Sequence, residues 1–251
     1  MALQPASKSK ELVDRIIAHD ERSEVISEFE KHLLIKNINE LNDPAERFMV
    51  RAILECNQKN LDKCKHYFHE STRYVSIGAN TEVVYHNFIS SLLKLNDYSA
   101  ARDIAYEAMP VIFSVDTYQF LFRLSSILLD YQLADEAAKR ISKMHESTPE
   151  VGGFYEFYED NKSYGLPELE HFLAYGNTIS ALLKRYNYLN VSGMSFSKDV
   201  EDNKVRVVYY LDDLSHESSM AALKANEEFI DSVIEHDLNS DIIVSFMLGI
   251  S

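Results

Sequence analysis

The chain of 251 residues has no tryptophan, two cysteines, five prolines and seven glycines. The glycines stand at 78, 152, 153, 165, 176, 193 and 249. No stretch is dense enough in glycine to form a loop that cradles phosphate. Two cysteines, Cys56 and Cys64, are too few for a disulfide framework. They are expected as reduced thiols on consecutive helices, with a transient bridge between them as the lesser alternative. CxxC, zincin, Walker and nucleophile-elbow motifs are all missing. The longest strongly apolar run, 242–250, is about half the roughly 20 residues a membrane span needs. Residues 1–10 lack the apolar stretch of a secretory signal, so a cytoplasmic location is expected.

Basic residues are also scarce. Lys and Arg number 25 against 40 Asp and Glu, a formal charge of −15. Nucleic acid and anionic lipid carry the same sign, so neither is an expected partner. The charge is uneven. Residues 1–145 carry 18 basic and 21 acidic side chains, whereas 146–170 carry one and seven, and 190–251 carry four and 12. The acidity therefore belongs to the C-terminal part.

What the chain has in quantity is helical periodicity. Leu12, Ile16 and Ile17, then Val25, Ile26, Phe29, Leu33 and Leu34, recur at three- and four-residue steps. Asp43-Pro44-Ala45-Glu46 combines a capping side chain, a proline at the first helical position and a glutamate that reaches back to the cap. Asp116 to Gln119 follows the same logic. Between 44 and 149 three segments each read as a helix of large apolar residues, a polar turn and a helix of small ones. The turns read as 59–61, 96–98 and 132–134, with Cys64, Ala101 and Ala137 at matching points of the second helices.

In these segments the chain resembles the tetratricopeptide repeats, helix pairs that recur at about 34 residues. The second segment carries the likeness best, through Tyr85, Phe88, Leu92, Tyr98, Ala101, Ala105 and Ala108. The third carries Leu121, Leu124, Ser125, Leu128, Ala137 and Pro149; the first carries Phe48, Ala52, Cys64, Phe68 and Ser71. An irregular bundle of stacked helix pairs is the alternative. The resemblance implies a groove along the first helices of the pairs. There Glu46, Met49, Asn57, His86, Ser90, Lys94, Phe122 and Ser126 would face a bound extended peptide, unless the chain's own segments fill the groove.

After residue 150 the texture changes. Residues 154–164 mix five aromatics with three acids. Exposed, Tyr155 and Tyr158 would anchor a basic partner; the favoured reading buries these rings between domains. A helix is expected near 168–186. The period then drops to two at 194–198 and 205–211, a hairpin turning near 201–203. A helix starting at Ser215 and a buried strand at 242–248 complete a ββαβ unit, too thin to fold alone. The fold class expected is mainly α, a tetratricopeptide-like array of helix pairs with a small C-terminal α+β unit. Its parts are 1–149 (repeats), 150–189 (acidic aromatic connector and helix) and 190–251 (ββαβ).

Chemistry is concentrated at Asp212, Asp213, His216 and Glu217, after the second strand and at the start of a helix. Two carboxylates and a histidine there suit a divalent metal and phosphoester hydrolysis. The same residues serve as well to end a strand and cap a helix, which is the preferred reading. His66 and His69 read as solvated helix residues, not as metal ligands. The functional expectation is a cofactor-free binding protein, with a divalent-metal-dependent hydrolase using the Asp212–Glu217 cluster as the alternative. The binding protein would be an adaptor, chaperone or neutralising partner that holds an extended peptide or a basic protein surface.

Overall fold

The computed structural model describes residues 7–22, 24–75, 79–144, 153–186, 191–199, 204–211, 216–238 and 241–248. Two compact units divide the chain. The first unit contains α1 (Lys8–Glu21), α2 (Glu28–Asn39), α3 (Pro44–Asn57), α4 (Leu61–Tyr74) and α5 (Ala79–Lys94). The second contains α6 (Tyr98–Ala108), α7 (Val115–Leu128), α8 (Tyr131–Lys143), α9 (Phe154–Asn161) and α10 (Leu169–Arg185). It continues with β1 (Val191–Asp199), β2 (Lys204–Leu211), α11 (His216–Glu235) and β3 (Ile242–Leu248). The architecture is mainly α, with a small mixed sheet at the C-terminal end.

Most helices start on a polar side chain that takes up an orphan amide. Ser7 accepts from the Lys10 amide, Ser27 from Glu30, Asp43 from Ala45 and Asn60 from Lys63. The α7 cap differs from the sequence expectation. Ser114, not Asp116, is the extended cap residue and accepts from the Thr117 amide. Asp116 is the second residue of α7, where its charge still suits the positive end of the helix.

The turns that follow α3, α5 and α7 share one backbone geometry. Lys59, Asn96 and Leu129 adopt φ of 57°, 53° and 51°, each followed by an Asx cap, Asn60, Asp97 and Asp130. The carbonyl of each cap accepts the amide four residues on, from Cys64, Ala101 and Ala134. The third turn therefore falls three residues before the expected 132–134, and Ala134, not Ala137, stands in the position of Cys64 and Ala101. Asp130 forces this register, because its carboxylate caps the Leu133 amide at 3.0 Å.

In the first unit α3 packs along α4, with α5 against both and α1 across α3. Val50, Leu54 and Phe68 are buried, and Phe68 stacks on Phe88 at 4.6 Å. In the second unit α7 packs along α8, while α6 packs on α7 and α10. The division between units thus falls within the segment that matched the repeat pattern best. The second core is aromatic. Phe154 meets Phe172 at 4.9 Å, Tyr175 meets Phe229 at 5.6 Å and Tyr209 meets Phe246 at 5.5 Å.

The sheet order is β1-β2-β3. β1 runs antiparallel to β2, and β3 runs parallel to β2 in register Val205↔Ile242 through Leu211↔Leu248. α11 is the crossover that a parallel pair requires. Period-two alternation sets the faces: Val205, Val207, Tyr209 and Leu211 are buried beside Ile242, Val244 and Phe246. Tyr209 also donates its hydroxyl to the Ile127 carbonyl at 2.9 Å, docking the sheet on α7.

Candidate peptide-binding cleft

The first unit holds an open cleft of about 300 Å³ between α1, α3 and α5. Its wall residues include Lys10 and Val13 of α1, Glu46 and Met49 of α3, and Val83 and Asn87 of α5. Local folding explains each placement. The Asp43 cap and Pro44 start α3 so that Ala45 packs inward while Glu46 stays half-buried at the rim. Ser71 of α4 donates to the Ala45 carbonyl at 2.8 Å and ties down that first turn. On α5 the buried row is Val84, Phe88 and Leu92, which leaves Val83 on the adjoining face, 49% exposed. Asn87 donates to the Val83 carbonyl at 2.8 Å, and its amide lies 3.8 Å from Met49 Sδ. The cleft therefore has an apolar floor with one cation, Lys10, and one carboxylate, Glu46, on its walls. Among the described residues that line it there is no paired nucleophile and base; its shape and lining suit side chains of a bound chain.

Glu46 and Met49, expected along the groove, line this cleft; the other residues expected to bind a partner lie elsewhere. Asn57 is buried and serves the chain itself. Its carbonyl oxygen accepts from the Ile26 amide at 3.0 Å, and its amide donates to Asp20 at 2.7 Å and to the Glu24 carbonyl at 3.1 Å. Lys94 pairs with the other oxygen of Asp20 at 3.0 Å. Asn57 and Lys94 thus meet around one carboxylate and lock the α1–α2 connection. Ser90 is half-buried on α5, and His86 is exposed on the same helix.

In the second unit, α9 covers the corresponding face of α7. Phe122 is buried and meets Tyr155 edge-on at 5.7 Å. Ser126 accepts the Phe154 amide at 3.2 Å. Tyr155 stacks on Tyr131 at 5.3 Å, and Tyr158 tilts against Tyr131 at 5.0 Å. Tyr131 also donates to Glu159 at 2.5 Å, and burial raises its hydroxyl well above the usual phenol range. The segment 154–158 is a seal, with Phe154 fully buried, while Tyr164 is exposed. A smaller recess of about 170 Å³ remains beside it, between Phe122, Ile127, Met194 and Phe196, with Arg123 at its edge.

Cys56 and Cys64 are free and buried. The interaction between the two thiols lowers the pKa of Cys56 and, with burial, raises that of Cys64. Cys56 also contacts the Ser91 carbonyl at 3.5 Å. Asp212 and Asp213, with the side chains of His216 and Glu217, lie outside the described residues. Among the described residues no group of three or more His, Cys, Asp or Glu is placed to hold a metal ion. No described helix is long and apolar enough to cross a membrane.

Sequence reasoning missed Lys10, Val13, Val83 and Asn87. One signal was available: Val83 is an apolar residue one step off the row Val84, Phe88, Leu92, so a helix that buries the row must present Val83 beside it. No protein-family model, curated protein or solved structure matches the chain.

Proposed function

We propose that this chain is a protein-binding helical-repeat molecule of the tetratricopeptide type, and that the α1/α3/α5 cleft is where it takes an extended peptide. The supporting observation is the combination of an apolar floor at Val13 and Met49 with opposite charges at Lys10 and Glu46, open to solvent at Val83. Such a floor takes apolar side chains, while the two charges fix the direction of the peptide backbone. The acidic second unit attracts basic partners and speeds their encounter.

The test is selection of peptides from a random library displayed on phage, followed by binding assays of the enriched sequences with the full chain. Val83→Glu places a charge on an exposed cleft position and should weaken binding about tenfold or more, as loss of a central anchor does. Lys63→Glu, at an exposed position of α4 outside the cleft lining, should leave binding unchanged. Enriched peptides that bind Val83→Glu as well as the natural chain would overturn the assignment.

A further inference from the structure

Helix α11 has two apolar faces. Ala222, Ala225 and Phe229 form the buried one, against the sheet and α10. The second is open: Met220, Leu223, Ile230 and Ile234 are 45%, 58%, 58% and 73% exposed. With Glu227 they complete the three- and four-residue spacing of a seam between packed helices. At 1.5 Å per residue the seam runs about 21 Å, enough for four turns of a partner helix. An exposed apolar stripe of this length marks an interaction surface.

The seam cannot roll inward. Asn226 pins α11 to the edge of β3, donating to the Phe246 carbonyl at 3.0 Å and accepting its amide at 2.9 Å. Glu228 holds the other side, bonded to Arg185 and to the Tyr186 hydroxyl. The stripe is therefore preorganised on a fixed helix.

Charge selects the occupant. Glu227, Asp231 and Glu235 are exposed in and beside the seam, and α11 itself sets one Lys, Lys224, against them. The second unit as a whole carries 26 acidic and 12 basic side chains. A second copy would set these acids against their own kind, with Glu227 facing Glu227 at the centre of an antiparallel pair. We infer that the outer face of α11 docks an amphipathic helix of another protein, one with an apolar seam flanked by Lys and Arg. This surface is independent of the cleft on the first unit.

Two synthetic helical peptides of about 18 residues, with identical leucine seams flanked by Lys in one and Glu in the other, test this by fluorescence anisotropy. The full chain should bind the Lys-flanked peptide about tenfold or more tightly than its Glu-flanked twin, with the preference shrinking as salt rises. Leu223→Glu with Ile230→Glu should abolish binding without changing the circular-dichroism melt, since both side chains are exposed. Asp231→Lys with Glu235→Lys should reverse the preference, and Val83→Glu should have no effect. Equal binding of the two peptides, or retained binding by the seam variant, would overturn the inference. So would sedimentation of the natural chain as a dimer that the seam variant dissolves, which would make a second copy the occupant.

Discussion

Glu156 shows how one buried carboxylate works against its own fold. It stands in the first turn of α9, and one of its oxygens is buried with no hydrogen-bond partner. Burial raises its pKa above the ordinary carboxylate value and outweighs the backbone amides of Glu156 and Gly153, which pull the other way. A raised carboxyl pKa means the folded state binds the proton more readily than the unfolded one. Stability is then greatest below the ordinary carboxylate pKa and falls as pH rises through the folded-state value. Glu156→Gln keeps an acceptor oxygen at this position and removes the charge. We expect its melting temperature to exceed that of the natural chain by about 2 °C at pH 7, for a buried unpaired group of about 1 kcal/mol. The two curves should converge near pH 4. A constant difference across that range would exclude the charge as the cause. Asn57 is the opposite case, a buried polar residue whose side-chain amide is satisfied by three residues at once, Asp20 of α1 and Glu24 and Ile26 of the connection after it.

At the scale of elements, Gly176 decides how α10 meets α7. A Cβ at this position would lie 1.8 Å from the Leu128 carbonyl oxygen and 2.7 Å from its carbon. In an ordinary helix interior, Gly→Ala stabilises by roughly 0.5–1 kcal/mol. Here the neighbour is backbone at the end of a helix, which cannot swing aside as a side chain can. Gly176→Ala should therefore destabilise, by roughly 2 kcal/mol or more, read as a lower urea midpoint. A neutral or stabilising effect would show that the two helices do not approach so closely. Asn226 makes a comparable element-level decision. By occupying the free N–H and C=O of Phe246, it blocks part of the β3 edge from pairing with another strand.

Across the whole molecule, nearly all the net charge belongs to one unit. The first carries 13 basic and 14 acidic side chains, the second 12 and 26. Self-repulsion of like charges destabilises a compact state and is screened by salt. Raising NaCl from about 20 mM to about 300 mM, across which the Debye length falls several-fold, should slow amide exchange in α10 and β2. Exchange in α3 and α4 should change little. Equal responses in both units, followed by mass spectrometry, would show that the excess charge carries no energetic penalty.

The elements themselves were legible in the sequence. Period-four rows and Asx or Ser caps mark helices because burial and amide satisfaction are local demands, and period two at 205–211 marked the central strand for the same reason. Register within the turns was less legible, because a three-residue turn has no period of its own and Asp130 reveals its capping role only through the Leu133 amide. The candidate groove was least legible. Asn57, Lys94, Phe122 and Ser126 stand on helix faces that repeat logic leaves open, yet Asp20 and the 24–26 connection engage the first pair and α9 covers the second. Which segment closes over which face depends on contacts between residues far apart in the chain. Periodicity determined that these helices have faces to bury; tertiary packing alone decided that those left open include the α1/α3/α5 cleft and the outer seam of α11.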